Sequence, residues 1–270
     1  MSWEKRDILL VVKTYPVRSE KYGNTVCTAG ILEDTNEWIR IYPIRMEVIE
    51  KNELRKYTRF KAEVKKNTSE KLKRKESYKI RENTIKVVDR SLVNTKNKGV
   101  WQERKKILLN LLSDSKETLV DKYNEDKTSL GIIKPKKGKV KFLIKKPIDE
   151  IEIDVEKSTQ FTITGEKLIK VDKIENVFKY KFKCNNIKCK GHEMICEDWE
   201  LLQAFRSWKN KYNTKNLKKI LIKKFHYYMI DKRDLYFILG TYWKFPTWLI
   251  IGLFYPPKQN GQKELTDFLK

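Results

Sequence analysis

The feature that most constrains the fold is a series of short segments, rich in β-branched and aromatic residues, in the first hundred residues. Turn-forming sequences separate these segments, among them Tyr22-Gly23-Asn24 and Asp34-Thr35-Asn36. Short apolar runs bounded by turns predict strands, and several such strands with an early tight hairpin predict a small barrel. The expected strands are 8–13, 26–32, 38–42, 60–64 and 84–88.

The rest of the chain mixes helical and strand patterns. Apolar residues at helical spacing predict helices over 101–112, 198–212 and 215–229. A basic segment, 139–145, precedes an acidic alternating segment, 150–156, and the two predict an antiparallel pair with complementary cross-strand charges. A cation or a basic partner is the alternative explanation of the acidic row. Further strands are expected at 161–163, 177–182, 235–239 and 247–254.

Three of the four cysteines and one of the two histidines fall within thirteen residues. The pattern is Cys184-x4-Cys189-x2-His192-x3-Cys196, which offers three thiolates and an imidazole. This is the ligand set of a closed, structural zinc site. Packed thiols without a metal, and an iron–sulfur or redox site, are the alternatives.

Charge predicts the partner. The chain has 60 Lys and Arg against 36 Asp and Glu, a formal net charge of +24, so a polyanion is the natural partner. No acidic residue lies between Glu200 and Asp231, and the helix over 215–229 has a cationic side opposite its apolar side. A solvated face and a membrane-surface helix share this pattern. The residues expected to contact nucleic acid here are Arg206, Lys215, Lys218, Lys219 and Lys223.

A second basic set lies in the expected barrel. Alternation along the strand at 38–42 puts Trp38, Arg40 and Tyr42 on one face, where arginine and aromatic rings would bind phosphates and stack on bases. The alternative is that the aromatic residues belong to the barrel core and that Arg40 is their solvated neighbour. The barrel-side candidates are Arg40, Tyr42, Arg45 and Arg59.

The passage VCTAGILEDTNEWIRIYPI, residues 26–44, resembles the hairpin of dual OB-fold domain proteins of prokaryotes. The resemblance covers about the first hundred residues and implies a nucleic-acid-binding barrel, but it transfers no catalytic residue. We therefore expect an α+β fold with an OB-like N-terminal barrel and a C-terminal α/β unit braced by the Cys/His cluster. The expected segments are a barrel domain over 1–95, a connector with a helix and a charged hairpin over 96–160, and a Cys/His-cluster domain over 161–270.

The predicted function is binding of DNA or RNA through the phosphate backbone, with structural zinc. A metal-dependent nuclease that uses Glu193, Asp198 and Glu200 is one alternative, although Asp198 is also the natural N-cap of a helix. An adaptor for an acidic protein is another. The charged start, the short apolar runs and the few cysteines predict no membrane span and a cytoplasmic location. Whether the protein is an enzyme, and its oligomeric state, stay open.

Overall fold

The N-terminal half is a closed β-barrel in the computed structural model, which describes residues 2–19, 22–68, 74–145, 174–242 and 247–258. Five strands close the barrel in the order β1-β3-β4-β6-β5, with β5 pairing back to β1. Only β4 and β6 pair in parallel on this path. The barrel strands are β1 Glu4–Lys13, β3 Gly23–Leu32, β4 Glu37–Arg45, β5 Arg59–Lys66 and β6 Ser77–Ile80, and the accessory strands are β2 Val17–Ser19 and β7 Lys86–Asp89.

Alternation along the strands fills the barrel. Ile8 and Leu10 of β1 face the interior together with Ile39 and Ile41 of β4, and all four are fully buried. The helix α1, Met46–Lys51, lies between β4 and β5 and adds Met46 and Ile49 to the same core. This strand order, with a helix after the third barrel strand, is that of an OB-like barrel.

The C-terminal half adds two sheets and several helices. One sheet has the order β14-β13-β9-β8 and the other β10-β11-β12. The strands are β8 Leu112–Ser113, β9 Leu130–Ile133, β10 Lys141–Lys145, β11 Val177–Phe182, β12 His192–Ile195, β13 Tyr236–Thr241 and β14 Trp248–Phe254. The helices are α2 Lys98–Leu109, α3 Lys116–Asp126, α4 Trp199–Lys209 and α5 Thr214–Ile222, which continues as a π-helix over Lys223–Asp231.

The barrel and the four-stranded sheet share a core. Leu9 and Val11 of β1 and Ile31 of β3 point out of the barrel and pack among Ile132 and Ile238 of the sheet. Strand β1 is therefore buried on both faces, which explains its unbroken apolar run. The outer face of the barrel at β3 and β4 is covered by the C-terminal half.

The expected α+β class and the N-terminal barrel are confirmed. The three predicted helices are present with shifted ends, whereas α3 was not predicted. Strand β10 pairs with β11; its predicted partner 150–156 and the predicted strand 161–163 lie outside the described residues. In the described part of the chain, no helix is long and apolar enough to cross a membrane.

Candidate metal centre and basic surface

Four side chains with metal-binding atoms meet between the start of α3 and the loop that joins β11 to β12. They are Glu117, Cys184, Cys189 and His192, whose candidate ligand atoms all lie within 4.8 Å of one another. The Sγ of Cys189 lies 3.2 Å from Nε2 of His192, and that nitrogen lies 3.1 Å from Oε1 of Glu117. Ligands of a tetrahedral zinc ion are about 3.4–3.8 Å apart, so small side-chain shifts would complete such a site.

The start of α3 supplies the carboxylate. Ser115 caps the helix, because its hydroxyl accepts a hydrogen bond from the backbone N–H of Thr118 at 3.2 Å. Glu117 thus falls in the first helical turn. The neighbouring N–H of Lys116 donates to Sγ of Cys184 at 3.5 Å, so a helix terminus that lacks intrahelical partners holds one of the thiols.

The loop between β11 and β12 supplies the other three side chains. Its two cysteines are held together by a hydrogen bond from the N–H of Cys184 to Sγ of Cys189 at 3.2 Å. Gly191 has a φ of +105°, a backbone conformation that favours glycine, and it directs the chain into β12. His192 then opens the strand, and its ring centroid lies 5.1 Å from that of Phe182.

Burial controls the protonation of the cluster. It raises the pKa of the Cys184 thiol to about 12 and lowers the pKa of His192. Burial also opposes ionisation of Glu117, but the backbone N–H groups and the nearby His192 outweigh it and hold the pKa of that carboxyl below its ordinary value. A cation would have to displace the thiol protons. Oε2 of Glu117 is buried without a hydrogen-bond partner in the described residues, and a bound cation would satisfy it.

Cys196, the fourth predicted ligand, does not join this group. An extended chain advances about 3.3 Å per residue, so Cys196 lies about 13 Å along the chain from His192. It is 1% exposed, and its N–H donates to the carbonyl of Phe178 in the sheet interior. Glu117 is the fourth member of the group. The other three predicted residues are brought together, so the expected cluster is confirmed as a group at metal-binding distance.

The predicted lysines of α5 lie on the surface. The side of the helix with Leu217 and Leu221 is buried, and Phe225 extends that side into the π-helix. Arg206 on α4 is half-buried and has an interaction partner, so it is not a free cation. The exposed residues, which have no ion-pair partner among the described residues, are Lys215, Lys218, Lys219 and Lys223.

Arg40 does not have the predicted role. It is 3% exposed, because the C-terminal half covers the outer face of β4. Its guanidinium donates to the carbonyls of Ser129 at 2.9 Å and Thr241 at 3.2 Å. A Cβ at Gly240 would lie 2.8 Å from its Nη2, so the glycine leaves room for the arginine. Arg40 joins the two halves of the protein and is not available to a phosphate.

The other three barrel candidates differ in whether a carboxylate of the protein already binds them. Tyr42 is exposed. Arg45 donates through Nε to Glu82 at 2.7 Å, and Arg59 pairs with Glu33 at 2.7 Å and with Asp89 at 2.9 Å. Both arginines are thus engaged by carboxylates of the barrel, which argues against them as phosphate contacts.

The carboxylates of the nuclease alternative do not form one site. Asp198 is fully buried, caps α4 by accepting from the N–H of Glu200, and pairs with Lys56 at 2.9 Å. Glu193 pairs with Lys145 and Lys179, and Glu200 accepts from the hydroxyl of Tyr255. No group of three metal-binding side chains that includes these acids occurs in the described residues.

The structure also shows a groove beside the candidate metal centre that the sequence did not predict. Its volume is about 730 Å³, and it lies along β10, β11 and the metal-binding loop. Five exposed lysines line it together with His192, Glu193 and His226; these lysines are Lys139, Lys141, Lys181, Lys183 and Lys190. Glu117 was missed too, and the cap sequence of Ser115 followed by an acid in the first turn is the signal that would have found it.

Two family models match the chain. One, described as a domain of unknown function, DUF8758, matches residues 4–110, and the other, also a domain of unknown function, DUF8757, matches residues 112–270. The chain belongs to the DUF8757 family, whose model covers more than half of it. No curated protein matches the sequence.

Proposed function

We propose that this member of the DUF8757 family, a domain of unknown function, binds single-stranded nucleic acid through the phosphate backbone. Helix α5 is the main contact. The proposal rests on one observation. The four exposed lysines of α5 lie on a helix whose opposite side is buried, and they have no ion-pair partner in the described residues. Burial fixes the orientation of the helix, so its charge is presented to solvent in one direction. Lysines of this kind bind phosphates and release counterions.

Exposed aromatic residues at both ends of α5 favour a single strand as the ligand. Tyr212 precedes the helix and is 42% exposed, and Tyr227 lies in the π-helix and is 57% exposed. Sequence-tolerant proteins that bind single strands combine a basic path with aromatic rings on which bases stack. The OB-like face of β3 and β4 is not part of the proposed interface, because the C-terminal half covers it.

We further propose that the cluster of Glu117, Cys184, Cys189 and His192 holds a structural zinc ion. Two thiolates and an imidazole favour zinc over magnesium or calcium, which prefer oxygen ligands. Four protein ligands would fill the tetrahedron, so the role is to fix the β11–β12 loop against α3. The four cysteines of the chain are free thiols, which fits a reducing compartment such as the cytoplasm.

The experiment compares the wild type with a variant carrying Lys215→Gln, Lys218→Gln, Lys219→Gln and Lys223→Gln. Binding of a fluorescent single-stranded oligonucleotide is measured by anisotropy across a salt series. We expect the variant to bind at least about tenfold more weakly and to show a shallower slope of log K against log salt, by about 0.7 per lost phosphate contact. The control carries four exposed lysines from elsewhere, changed to Gln: Lys51, Lys86, Lys96 and Lys106.

An affinity that is unchanged in the α5 variant, or that falls equally in the control, would contradict the proposal. Binding of an acidic protein without any salt-dependent nucleic-acid binding would favour the adaptor function instead. Elemental analysis of protein purified without added metal tests the zinc proposal, for which we expect about one equivalent.

A further inference from the structure

The basic groove has little counter-charge. Glu193 is the single carboxylate among its lining residues, and Lys145 and Lys179, which are not among them, pair with it at 2.6 and 3.2 Å. The five lining lysines have no ion-pair partner in the described residues. Two of them, Lys141 and Lys181, are direct cross-strand partners, and Glu193 lies opposite Lys181 on β12. Like charges directly opposite on a sheet are destabilising, so an arrangement of this kind favours an anion between them.

His226 connects the groove to α5. It lies in the π-helix Lys223–Asp231, which continues α5, and it lines the groove. Its Nδ1 accepts a hydrogen bond from the N–H of Phe142 at 3.3 Å, which holds the ring against β10 and leaves Nε2 to carry the proton. The helix that carries the exposed α5 lysines thus also contributes a residue to the groove, and it has no acidic residue before Asp231.

The metal-binding loop forms one wall of the groove. Lys183 immediately precedes Cys184, and Lys190 immediately follows Cys189. The carbonyl of Lys183 accepts from the N–H of Lys136 at 2.8 Å, which ties the start of the loop to the segment before β10. A cation bound by the two thiolates would also fix the far end of the loop, and with it Lys190. Binding of an anion would then cost less ordering of side chains and loop.

We infer that this groove binds successive phosphate groups of the nucleic-acid strand that crosses α5, and that occupancy of the metal centre strengthens this binding. The inference rests on the proposed function for the identity of the anion. It adds a second contact region for the nucleic acid. It also makes the affinity for nucleic acid depend on the metal, because the metal holds one wall of the groove in position. By linkage, the nucleic acid strengthens metal binding by the same factor.

The experiment is a thermodynamic cycle on the full chain. The groove variant carries Lys141→Gln and Lys181→Gln, the helix variant Lys215→Gln and Lys219→Gln, and the charge-matched control Lys86→Gln and Lys106→Gln. The control residues are exposed on β7 and α2, outside the groove. Each protein is prepared with zinc and after chelation, and its affinity for a fluorescent oligothymidylate is measured by anisotropy. Circular dichroism checks that the chelated proteins keep their secondary structure.

We expect chelation to weaken binding by the wild type, the control and the helix variant by about tenfold, a coupling typical of two linked sites. The zinc-loaded groove variant should already be weakened about tenfold, and chelation should weaken it little further, because both changes remove the same contact. Equal effects of chelation in the groove and control variants, or wild-type affinity in the groove variant, would overturn the inference while leaving the proposed function intact.

Two further measurements keep the test decisive. If chelation unfolds the protein, the zinc affinity of the folded protein is measured instead by competition with a chelator of known affinity. Saturating oligothymidylate should raise this zinc affinity in the wild type and not in the groove variant. Inorganic tripolyphosphate tests the groove without nucleic acid. Tripolyphosphate binding that requires zinc, Lys141 and Lys181, without any oligonucleotide binding, would support the phosphate site and contradict the proposed function. Zinc-independent binding of tripolyphosphate would contradict the coupling.

Discussion

The arginines of the barrel and the lysines of α5 and the groove are both cations, yet the structure uses them differently. Arg40, Arg45 and Arg59 each donate to carbonyl or carboxylate oxygens of the protein itself. The α5 and groove lysines extend into solvent without a carboxylate partner in the described residues. Both residue types bind phosphates, arginine through its planar fork and lysine as a mobile point charge, so residue type does not explain the difference.

This difference shows that net charge is a poor guide to a binding surface. What distinguishes the two regions is whether a cation already has a partner. The barrel face on which the sequence predicted phosphate contacts is covered by the C-terminal half, and its Arg40 is part of an internal contact. Experiments that separate stability from affinity test this comparison directly.

The largest effect is expected at the candidate metal centre, which we propose as the rigid support of the lysine region. Cys189→Ala should abolish zinc binding and lower the free energy of unfolding by about 3 kcal/mol or more, because a structural metal contributes its binding energy to folding. Elemental analysis and denaturant unfolding, with and without chelator, measure both quantities.

Two controls show whether the fourth ligand is correctly assigned. Cys196→Ala should keep the full zinc content, since this thiol lies outside the cluster, whereas Glu117→Ala should reduce zinc affinity. The opposite result, in which Cys196→Ala loses the metal and Glu117→Ala keeps it, would restore the ligand set predicted from sequence.

The next effect is expected at Arg40, which represents the barrel region. Arg40→Met should lower the free energy of unfolding by about 3 kcal/mol, because two buried hydrogen bonds from its charged guanidinium to the carbonyls of Ser129 and Thr241 are lost. Affinity for a single-stranded oligonucleotide should stay within about twofold, since a buried side chain cannot reach a phosphate. Chemical denaturation and anisotropy on the same preparation give both numbers.

The matched substitution is Lys218→Met on α5, which should change affinity and not stability. Its free energy of unfolding should stay within about 0.5 kcal/mol of the wild type, as for other surface changes, and its binding of the oligonucleotide should be weaker. A stable Arg40→Met protein with reduced affinity would show that the barrel face is accessible after all, and the comparison would fail.

Sequence reasoning predicted the strands of the barrel because alternation and turns are local signals. It did not predict that Arg40 is buried, because burial comes from Ser129 and Thr241, which lie 89 and 201 residues away along the chain. Outward-facing residues of β4 look the same in sequence whether water or another sheet covers them. The unbroken apolar run of β1 was the one local hint that both faces of this region are covered.

The metal centre was predictable in part for the same reason. Cys184, Cys189 and His192 share one loop, so their spacing carries the signal. Glu117 comes from a helix 67 residues before Cys184, and the helix itself was missed because its sequence has few apolar residues. Cys196 was included in the predicted set because ligand spacing was considered without the extended conformation of 192–195, which carries it away from the group. The groove could not be predicted, because it forms only where β10, β11 and the π-helix come together, and no local sequence pattern shows that these elements are neighbours.

A third, smaller effect is expected for the aromatic residues beside the lysines. Tyr227→Ala should weaken binding of a single-stranded oligonucleotide by about 1–2 kcal/mol, because stacking of a base on the ring is lost, and it should change double-strand binding little. Tyr22→Ala on the barrel, also exposed, is the control and should change neither. Equal losses on single and double strands would mean that Tyr227 supports the helix and does not stack on bases.

The smallest effect concerns Lys13, a buried barrel cation without an acidic hydrogen-bond partner. It is 8% exposed, and its Nζ donates to the carbonyl of Leu54 at 3.0 Å and lies 4.3 Å from the ring of Trp199. Burial lowers its pKa to about 8, although nearby Glu50 opposes the shift. Between pH 8 and about 10.5 the unfolded chain therefore binds more protons at this residue than the folded chain, so its contribution to stability rises with pH in that window.

Lys13→Met removes the free-energy cost of burying a charged lysine, which the pKa shift sets at up to about 3 kcal/mol at neutral pH. The substitution also removes the hydrogen bond to Leu54 and the contact with the Trp199 ring, which are worth about 1 kcal/mol each. We expect the variant to be more stable than the wild type by about 1 kcal/mol at pH 7 and to lose this advantage by pH 10, as measured by urea unfolding at both values. Lys56→Met is the opposite case, since it leaves Asp198 buried without its ion-pair partner, and it should be destabilised at both pH values. If Lys13→Met were less stable than the wild type by the same amount at both pH values, the buried lysine would be fully charged in the folded protein. The barrel would then tolerate a cation that only a carbonyl and a ring stabilise, and the contrast with the solvent-exposed lysines would rest on exposure alone.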